Sequence, residues 1–331
     1  MFYSIIIPTF KRPDEVVECL QSLTKQIWKD FEVIIADGTP GKSLKEHVLP
    51  FSSSLNIQFL YEEYLGVSEA RNLGAKSAKG EWLIFLDSDC LIPENYLLVL
   101  EEQLPVLQAD LFGGPDAPHP DFTPLQKAIS FSMTSLLTTG GIRGKKTHIG
   151  TFHPRGFNMG IKKSAFEAVN GYSNFKCGED IELSIRLIKA GYTSVLIPEA
   201  FVYHKRRTSF QQFRNQVYRF GAARINIWSR HPEELKVTHL FPAIFFISFV
   251  FAVLFPALSL LVSSPLFMLP AFLFCVYFLL IFIFAFIESK SIQVAFLAIS
   301  ASFIQMTGYG AGFLANAFEV WVKKNPNGIK L

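Results

Sequence analysis

Apolar runs and polar interruptions alternate through the N-terminal part of the chain in the rhythm of strands and helices. Trp82-Leu83-Ile84-Phe85-Leu86 is wholly apolar, as a strand covered on both faces should be. Residues 3–7, 31–36 and 57–61 predict three more strands, the first stopped by Pro8 and the second by Asp37-Gly38. Between them Val16, Val17, Leu20 and Leu23 recur at helical spacing behind Asp14, a residue type suited to cap a helix. Residues 67–78 predict a second helix, and Gly80 separates it from the strand at Trp82. Strands alternating with helices imply βαβ units and an α/β fold with a largely parallel sheet.

Farther on, 94–107 reads as a helix, 111–114 as a short strand, about 125–137 as a helix and 155–161 as a glycine-flanked strand. Residues 138–154 make a connection long for a compact domain, and such loops are often functional or mobile. A helix opens at Cys177-Gly178-Glu179-Asp180 and is closed by Gly191. Residues 193–197 form a strand, and 200–203 lead to His204.

From Leu240 the pattern changes. Three blocks, 240–262, 266–287 and about 294–320, lack any polar face, and each reaches the roughly 20 residues that a bilayer core requires. Ser263-Ser264-Pro265 joins the first two tightly. The third carries Gly308, Gly310, Ala311, Gly312 and Ala315, small residues that let helices approach closely. Before these blocks, 209–229 predicts an amphipathic helix with Phe213, Val217, Phe220 and Ile227 on one face and Arg214, Arg219, Arg224 and Arg230 adding charge. Such a helix suits a membrane interface; a surface helix packed on the sheet is the plain alternative. The expected organisation is an α/β domain at 1–208, an interface helix and linker at 209–239, a transmembrane region at 240–322 and a polar tail at 323–331. Three passes from a cytoplasmic domain place Lys323, Lys324 and Lys330 outside, against the positive-inside rule. Either one block is re-entrant or the tail is an exception.

Composition narrows the classes. Of the 331 residues half are hydrophobic and 34 are Phe, and the net charge of +3 gives no support for nucleic acid as a partner. Cys19, Cys90, Cys177 and Cys275 have neither metal-ligand spacing nor the look of a disulfide framework, which fits a reducing compartment. Met1-Phe2-Tyr3-Ser4 runs straight into a strand without the basic region and cleavage site of a secretory signal. The first domain is therefore expected in the cytoplasm.

The chemistry starts at Asp87 and Asp89, directly after the apolar strand. Ligands of open α/β sheets gather at the carboxyl ends of strands, and two hard oxygen donors there suit Mg²⁺ or Mn²⁺ holding phosphates. A turn-forming, helix-capping acid pair before Pro93 is the alternative. Asp37 before Gly38, taken alone, reads as a simple turn. Glu179 and Asp180 sit at a helix start, where the dipole favours acids, and their side chains point about 100° apart.

Taken in order, Ile7-Pro8-Thr9-Phe10-Lys11-Arg12, Asp37-Gly38, Ala70-Arg71-Asn72, Asp87-Ser88-Asp89 and Gly178-Glu179-Asp180 resemble the family 2 glycosyltransferases, inverting enzymes with a GT-A fold. The resemblance covers about 2–230; the membrane portion is more loosely similar to bacterial members that build exopolysaccharide or lipid-linked sugars. It implies a Rossmann-like GT-A domain, with Asp89 on a divalent metal (Mn or Mg) and Asp87 near the ribose. It also implies Pro8, Thr9 and Asp37 along the base and Arg71 near the phosphates. Where the family often carries an acidic pair, this chain has Ala36-Asp37. Asp180 matches the general base and Glu179 a group that holds the site or the acceptor. His204, in Tyr203-His204-Lys205-Arg206-Arg207, matches a histidine that reaches the metal or diphosphate. Gly156 and Asn158 match an acceptor-side loop. Gln216-Val217-Tyr218-Arg219-Phe220 resembles the QxxRW motif of membrane-bound polysaccharide synthases, with Phe220 in place of Trp. That implies Arg219 at the diphosphate and Gln216 at the acceptor; an ordinary interfacial arginine is the alternative.

The expected function is an inverting transfer from a UDP- or GDP-sugar to a lipid-linked or growing saccharide. It is expected at the inner (plasma) membrane of the cell, in a multi-pass protein with a cytoplasmic catalytic domain and membrane lipid as a further partner. A processive polysaccharide synthase and a non-catalytic sugar-nucleotide-binding scaffold are the alternatives.

Overall fold

The computed structural model describes residues 2–41, 43–139, 152–175, 177–262, 265–325 and 328–329. Much of the long 138–154 connection, the Ser263-Ser264 turn and Lys330 lie outside the described residues.

In chain order the first elements are β1 (Tyr3–Thr9), α1 (Pro13–Thr24), β2 (Phe31–Asp37), α2 (Lys45–Val48), β3 (Ile57–Tyr61), α3 (Val67–Ser77) and β4 (Trp82–Leu86). Next come β5 (Cys90–Leu91), α4 (Tyr96–Leu107), β6 (Leu111–Gly113), β7 (Asp116–Ala117), α5 (Pro124–Thr134) and α6 (Leu136–Thr139). They are followed by β8 (Asn158–Lys162), α7 (Lys163–Ala168), α8 (Glu179–Lys189), β9 (Ser194–Leu196) and β10 (Val202–His204). The last are α9 (Phe210–Arg230), α10 (Phe241–Val262), α11 (Leu269–Ser289) and α12 (Ile292–Ala317). The chain forms two compact units, Met1–His119 with Gly144–Lys205, and Pro120–Arg143 with Arg206–Leu331.

In the first unit a seven-stranded sheet runs in the order β3-β2-β1-β4-β8-β6-β9. β1 to β4 pair in parallel, β8 is antiparallel to both β4 and β6, and β6 is parallel to β9. The apolar Trp82–Leu86 run is the middle strand and is buried throughout. Successive strand side chains face opposite sides, so each buried strand feeds two cores. Ile5, Ile7, Val33, Ile35 and Ile84 join Val16, Leu20 and Leu23 of α1 and Leu97 and Leu100 of α4. Ile6, Ile34, Leu83 and Phe85 join Ala75 of α3, Phe166 of α7 and Leu183 and Leu187 of α8.

Two boundaries differ from the sequence expectation. The strand expected from 155 begins at Asn158, because Arg155 and Asn158 close a tight turn with a 2.9 Å backbone bond. The helix expected over 125–137 breaks at Ser135, whose backbone is extended. A second sheet, β5-β10-β7, escapes the sequence reading because its strands are two or three residues long.

In the second unit α9 turns Phe213, Val217, Ile225 and Ile227 inward, and Phe213 and Val217 pack with Val294, Ala298 and Ala301 of α12. The apolar face expected to meet lipid or the sheet is thus taken up by protein. Approach is close: an added Cβ at Gly312 would stand 2.0 Å from the Tyr218 carbonyl oxygen. Asn316 of α12 donates to the Ala222 carbonyl and to Asn226 Oδ1, both at 2.7 Å, and accepts from Ile329 N at 2.8 Å. The tail therefore folds back at Ile329. On α9, Gln216 is half-buried and Arg219 exposed. Among the described residues two helices, Leu269–Ser289 and Ile292–Val322, are long and apolar enough to cross a membrane, and the apolar stretch Phe241–Pro256 within α10 is shorter.

Candidate active site

The carboxyl end of β4 delivers Asp87, and α3 sends Arg71 toward it. Arg71 is 2% exposed. Its Nη2 reaches Asp87 Oδ1 at 2.8 Å and the Gly156 carbonyl oxygen at 3.2 Å, and its Nη1 reaches Glu179 Oε1 at 2.7 Å. The Tyr172 ring covers the guanidinium, 5.3 Å from Cζ to centroid. Asn72 positions that ring's backbone, donating to the Tyr172 carbonyl at 2.8 Å and accepting from its amide at 2.9 Å. Gly178 caps α8 with φ +81°, a left-handed conformation natural to glycine, and so starts the helix at Glu179. Asp180 is half-buried; its Oδ2 accepts from Gly156 N at 2.9 Å and its Oδ1 from Ile181 N at 2.8 Å. Burial pushes the Glu179 carboxyl above the usual carboxylate range; Arg71 opposes this and neighbouring Asp180 adds to it. Asp87 and the acid pair at Glu179 and Asp180 are thus bound into one network through Arg71 and Gly156.

A second cluster lies at Asp89, 3% exposed. Its Oδ1 is 3.1 Å from His204 Nε2, and its Oδ2 accepts from Arg12 Nη1 at 3.0 Å. The small sheet makes this meeting: His204 of β10 pairs with Cys90 of β5, and Lys205 N donates to the Asp89 carbonyl at 3.0 Å. Phe157 stacks on the His204 ring, centroids 4.8 Å apart. Asp89, Cys90 and His204 offer ligand atoms within 4.8 Å of one another.

The model of glycosyl transferase family 2 matches residues 4–169. A glycosyltransferase of Haemophilus influenzae, itself uncharacterized, is 31% identical over 219 residues, 62% of this chain and 70% of that protein. The chain belongs to glycosyl transferase family 2. Glycosyltransferase AglE of Haloferax volcanii is 25% identical over 243 residues, covering 69% of this chain and 74% of its own. Among solved structures, the mannosyltransferase PcManGT from Pyrobaculum calidifontis in complex with GDP-Man and Mn²⁺ aligns with a TM-score of 0.59 at 15% identity, over 97% of this chain and 87% of its own. That likeness carries the fold: a GT-A-like α/β sheet followed by long apolar helices. The protein is a glycosyltransferase that draws on a nucleotide-sugar donor.

The residues of this family 2 glycosyltransferase fit a divalent ion. A carboxylate oxygen and an imidazole nitrogen suit Mn²⁺ or Mg²⁺ better than a thiol does. Burial first, then Asp89 and Asp87, push the Cys90 thiol well up, and its Sγ donates to the Phe157 carbonyl at 3.5 Å. Asp89 and His204 are therefore the pair that would hold the ion.

Other expected site residues have different surroundings. Asn158, expected on the acceptor side, is fully buried; it donates to the Ala200 carbonyl at 2.8 Å and accepts from Tyr96 OH at 2.6 Å. It fastens β8 to the protein interior. Asp37 is also fully buried, its oxygens accepting from Thr39 N at 3.0 Å and Leu44 N at 2.8 Å. It organises the loop after β2. Pro8 is half-buried, and the Thr9 hydroxyl is buried with no partner among the described residues. Arg71, expected at the phosphates, spends both terminal nitrogens on protein acceptors. Arg12, Tyr172 and Phe157 join these clusters with no signal of that role along the chain.

Gly156 has no room for a side chain: an added Cβ would stand 2.7 Å from Arg71 Nη2 and 2.9 Å from Nη1. Arg71 is held on several sides and cannot yield. Gly156→Ala is expected to lower transfer by roughly tenfold to a hundredfold through displaced acids, while donor-independent thermal stability falls less than in a variant of Arg71 itself. Steady-state transfer assays beside thermal unfolding check this.

Proposed function

We propose that this glycosyltransferase inverts its donor sugar in one in-line displacement, with Asp180 as general base and a divalent ion on Asp89 and His204. The acceptor is a lipid-linked or growing saccharide held at a membrane. The observation that carries the reading is the Arg71 network. It draws Asp87, Glu179 and, through Gly156, Asp180 together with Arg71 to one place from four parts of the chain.

The steps follow from the carboxylates. The acceptor oxygen forms its bond to the anomeric carbon as the bond to the diphosphate breaks. Asp180 takes the hydroxyl proton; the two backbone amides on its oxygens aim the carboxylate and leave lone pairs for that proton. Glu179 and Arg71 hold Asp180's neighbourhood rigid. When bound, a divalent ion neutralises the charge of the departing diphosphate. Asp87, about a third exposed, faces the donor, and the Thr9 hydroxyl supplies a hydrogen bond to the uracil or guanine edge beside Pro8. Asp37 acts through its loop. The exposed Phe272, Leu273, Phe284 and Ile287 of α11 support insertion of the C-terminal helices in the inner membrane, with the catalytic unit in the cytoplasm.

A panel of UDP- and GDP-sugars with Mn²⁺, read by thermal shift on the detergent-purified chain, tests the reading. A ligand at 100 times its Kd stabilises the native state by about 2.7 kcal/mol. At least one donor is expected to raise the unfolding midpoint, and Asp89→Ala to remove the Mn²⁺-dependent part of the rise. No response to any nucleoside diphosphate, or an undiminished response in Asp89→Ala, overturns it.

A further inference from the structure

Asp89 meets His204 at one carboxylate oxygen and Arg12 at the other. Oδ1 belongs to the His204 side, where a divalent ion fits. Oδ2 belongs to Arg12, whose Nη1 also lies 2.9 Å from Glu15 Oε2. The loop that carries Arg12 is held in place. Lys11 has φ +56°, an uncommon backbone for a lysine, and its amide donates to Thr39 Oγ1 at 2.8 Å. Arg12 then directly precedes α1, and Glu15 one turn along steadies its guanidinium. We infer that Arg12 is a counter-charge on Asp89, a positioning residue that lowers the intrinsic affinity of the Asp89–His204 pair for divalent ions.

The physical reason is charge count. Affinity for hard cations rises with the negative charge of the ligand set. A guanidinium hydrogen-bonded to one oxygen of the ligating carboxylate cancels that charge and repels a dication at the other oxygen. Without Arg12, Asp89 Oδ2 and Glu15 Oε2 lose the guanidinium they share, and the negative charge beside the ion site rises. Arg12→Lys keeps the charge, whereas Arg12→Ala and Arg12→Gln remove it, the latter with a polar side chain retained. Loss of a merely structural arginine would weaken binding or leave it unchanged; loss of a counter-charge strengthens it.

The inference rests on the proposed metal site at Asp89, and the test separates the two. Mn²⁺ is titrated against the purified full chain without nucleotide, with free Mn²⁺ read by electron paramagnetic resonance. Arg12→Ala and Arg12→Gln are expected to bind Mn²⁺ about tenfold more tightly than the unaltered protein, a difference of about 1.4 kcal/mol. Arg12→Lys should stay near the unaltered protein, and adding Asp89→Asn should abolish binding in every background. If binding depends on Asp89 but neither neutral variant is tighter, the role of Arg12 falls and the metal site stands. If no background shows Asp89-dependent binding, the metal reading falls and takes this inference with it.

Discussion

Replacing Asp180 by Asn should cut sugar transfer by about a hundredfold to ten-thousandfold, the range a general base contributes, while donor binding persists. The amide is nearly isosteric, and its carbonyl oxygen can still accept from the Gly156 amide that now meets Oδ2. The 155–158 turn and Arg71 should therefore keep their places. What is lost is a group able to take the acceptor's proton during attack. The measurement pairs steady-state transfer with a donor thermal shift on the same preparation. Transfer within tenfold of the unaltered protein would assign the base to another residue. A loss of donor stabilisation equal to the loss of transfer would make Asp180 part of the donor site instead.

Arg71→Ala should be the most destabilising single change in the catalytic unit. Breaking a buried ion pair by removing one partner costs about 3–5 kcal/mol, because the other charge is left uncompensated. Here the side chains of Arg71 and Glu179 are only 3% and 12% exposed, so solvent can do little for Glu179 afterwards. Arg71→Lys should be intermediate, since an ammonium cannot serve Asp87, Glu179 and the Gly156 carbonyl with the planar fork of a guanidinium. The loss should also depend on pH. Burial already lifts the Glu179 pKa and Arg71 holds it back, so the variant's Glu179 titrates higher still. Between the unfolded value of about 4.3 and that raised value the native state holds more protons than the unfolded one. Stability then falls as pH rises. The deficit of Arg71→Ala should be larger at pH 8 than at pH 5.5, read as the difference in thermal midpoint from the unaltered protein. A deficit independent of pH would mean that Glu179 finds another partner.

Much of the catalytic unit can be read from the chain alone, because its signals are local. A five-residue apolar run between Gly80 and a pair of acids suits a strand covered twice, and Trp82–Leu86 is the middle strand of seven. Acids at the end of such a strand meet the ligand edge of the sheet, and Gly178 marks the start of α8 by a backbone conformation that few other residues adopt. Side-chain partnership is different, since it depends on what the fold brings near. Nothing along the chain distinguishes Asp37 and Asn158, which are sealed in and hydrogen-bonded to protein, from Asp87 and Asp180, which keep open faces. His204 reaches Asp89 through β5 and β10, strands too short to leave a periodic signal, and Arg12 meets the same carboxylate across 77 residues. The amphipathic face of α9 announced burial but not its partner, which proved to be α12. Periodicity along a chain records how much surface each segment must hide; which groups then share a dry space, and so hold or shift one another's charges, is decided only when the segments pack.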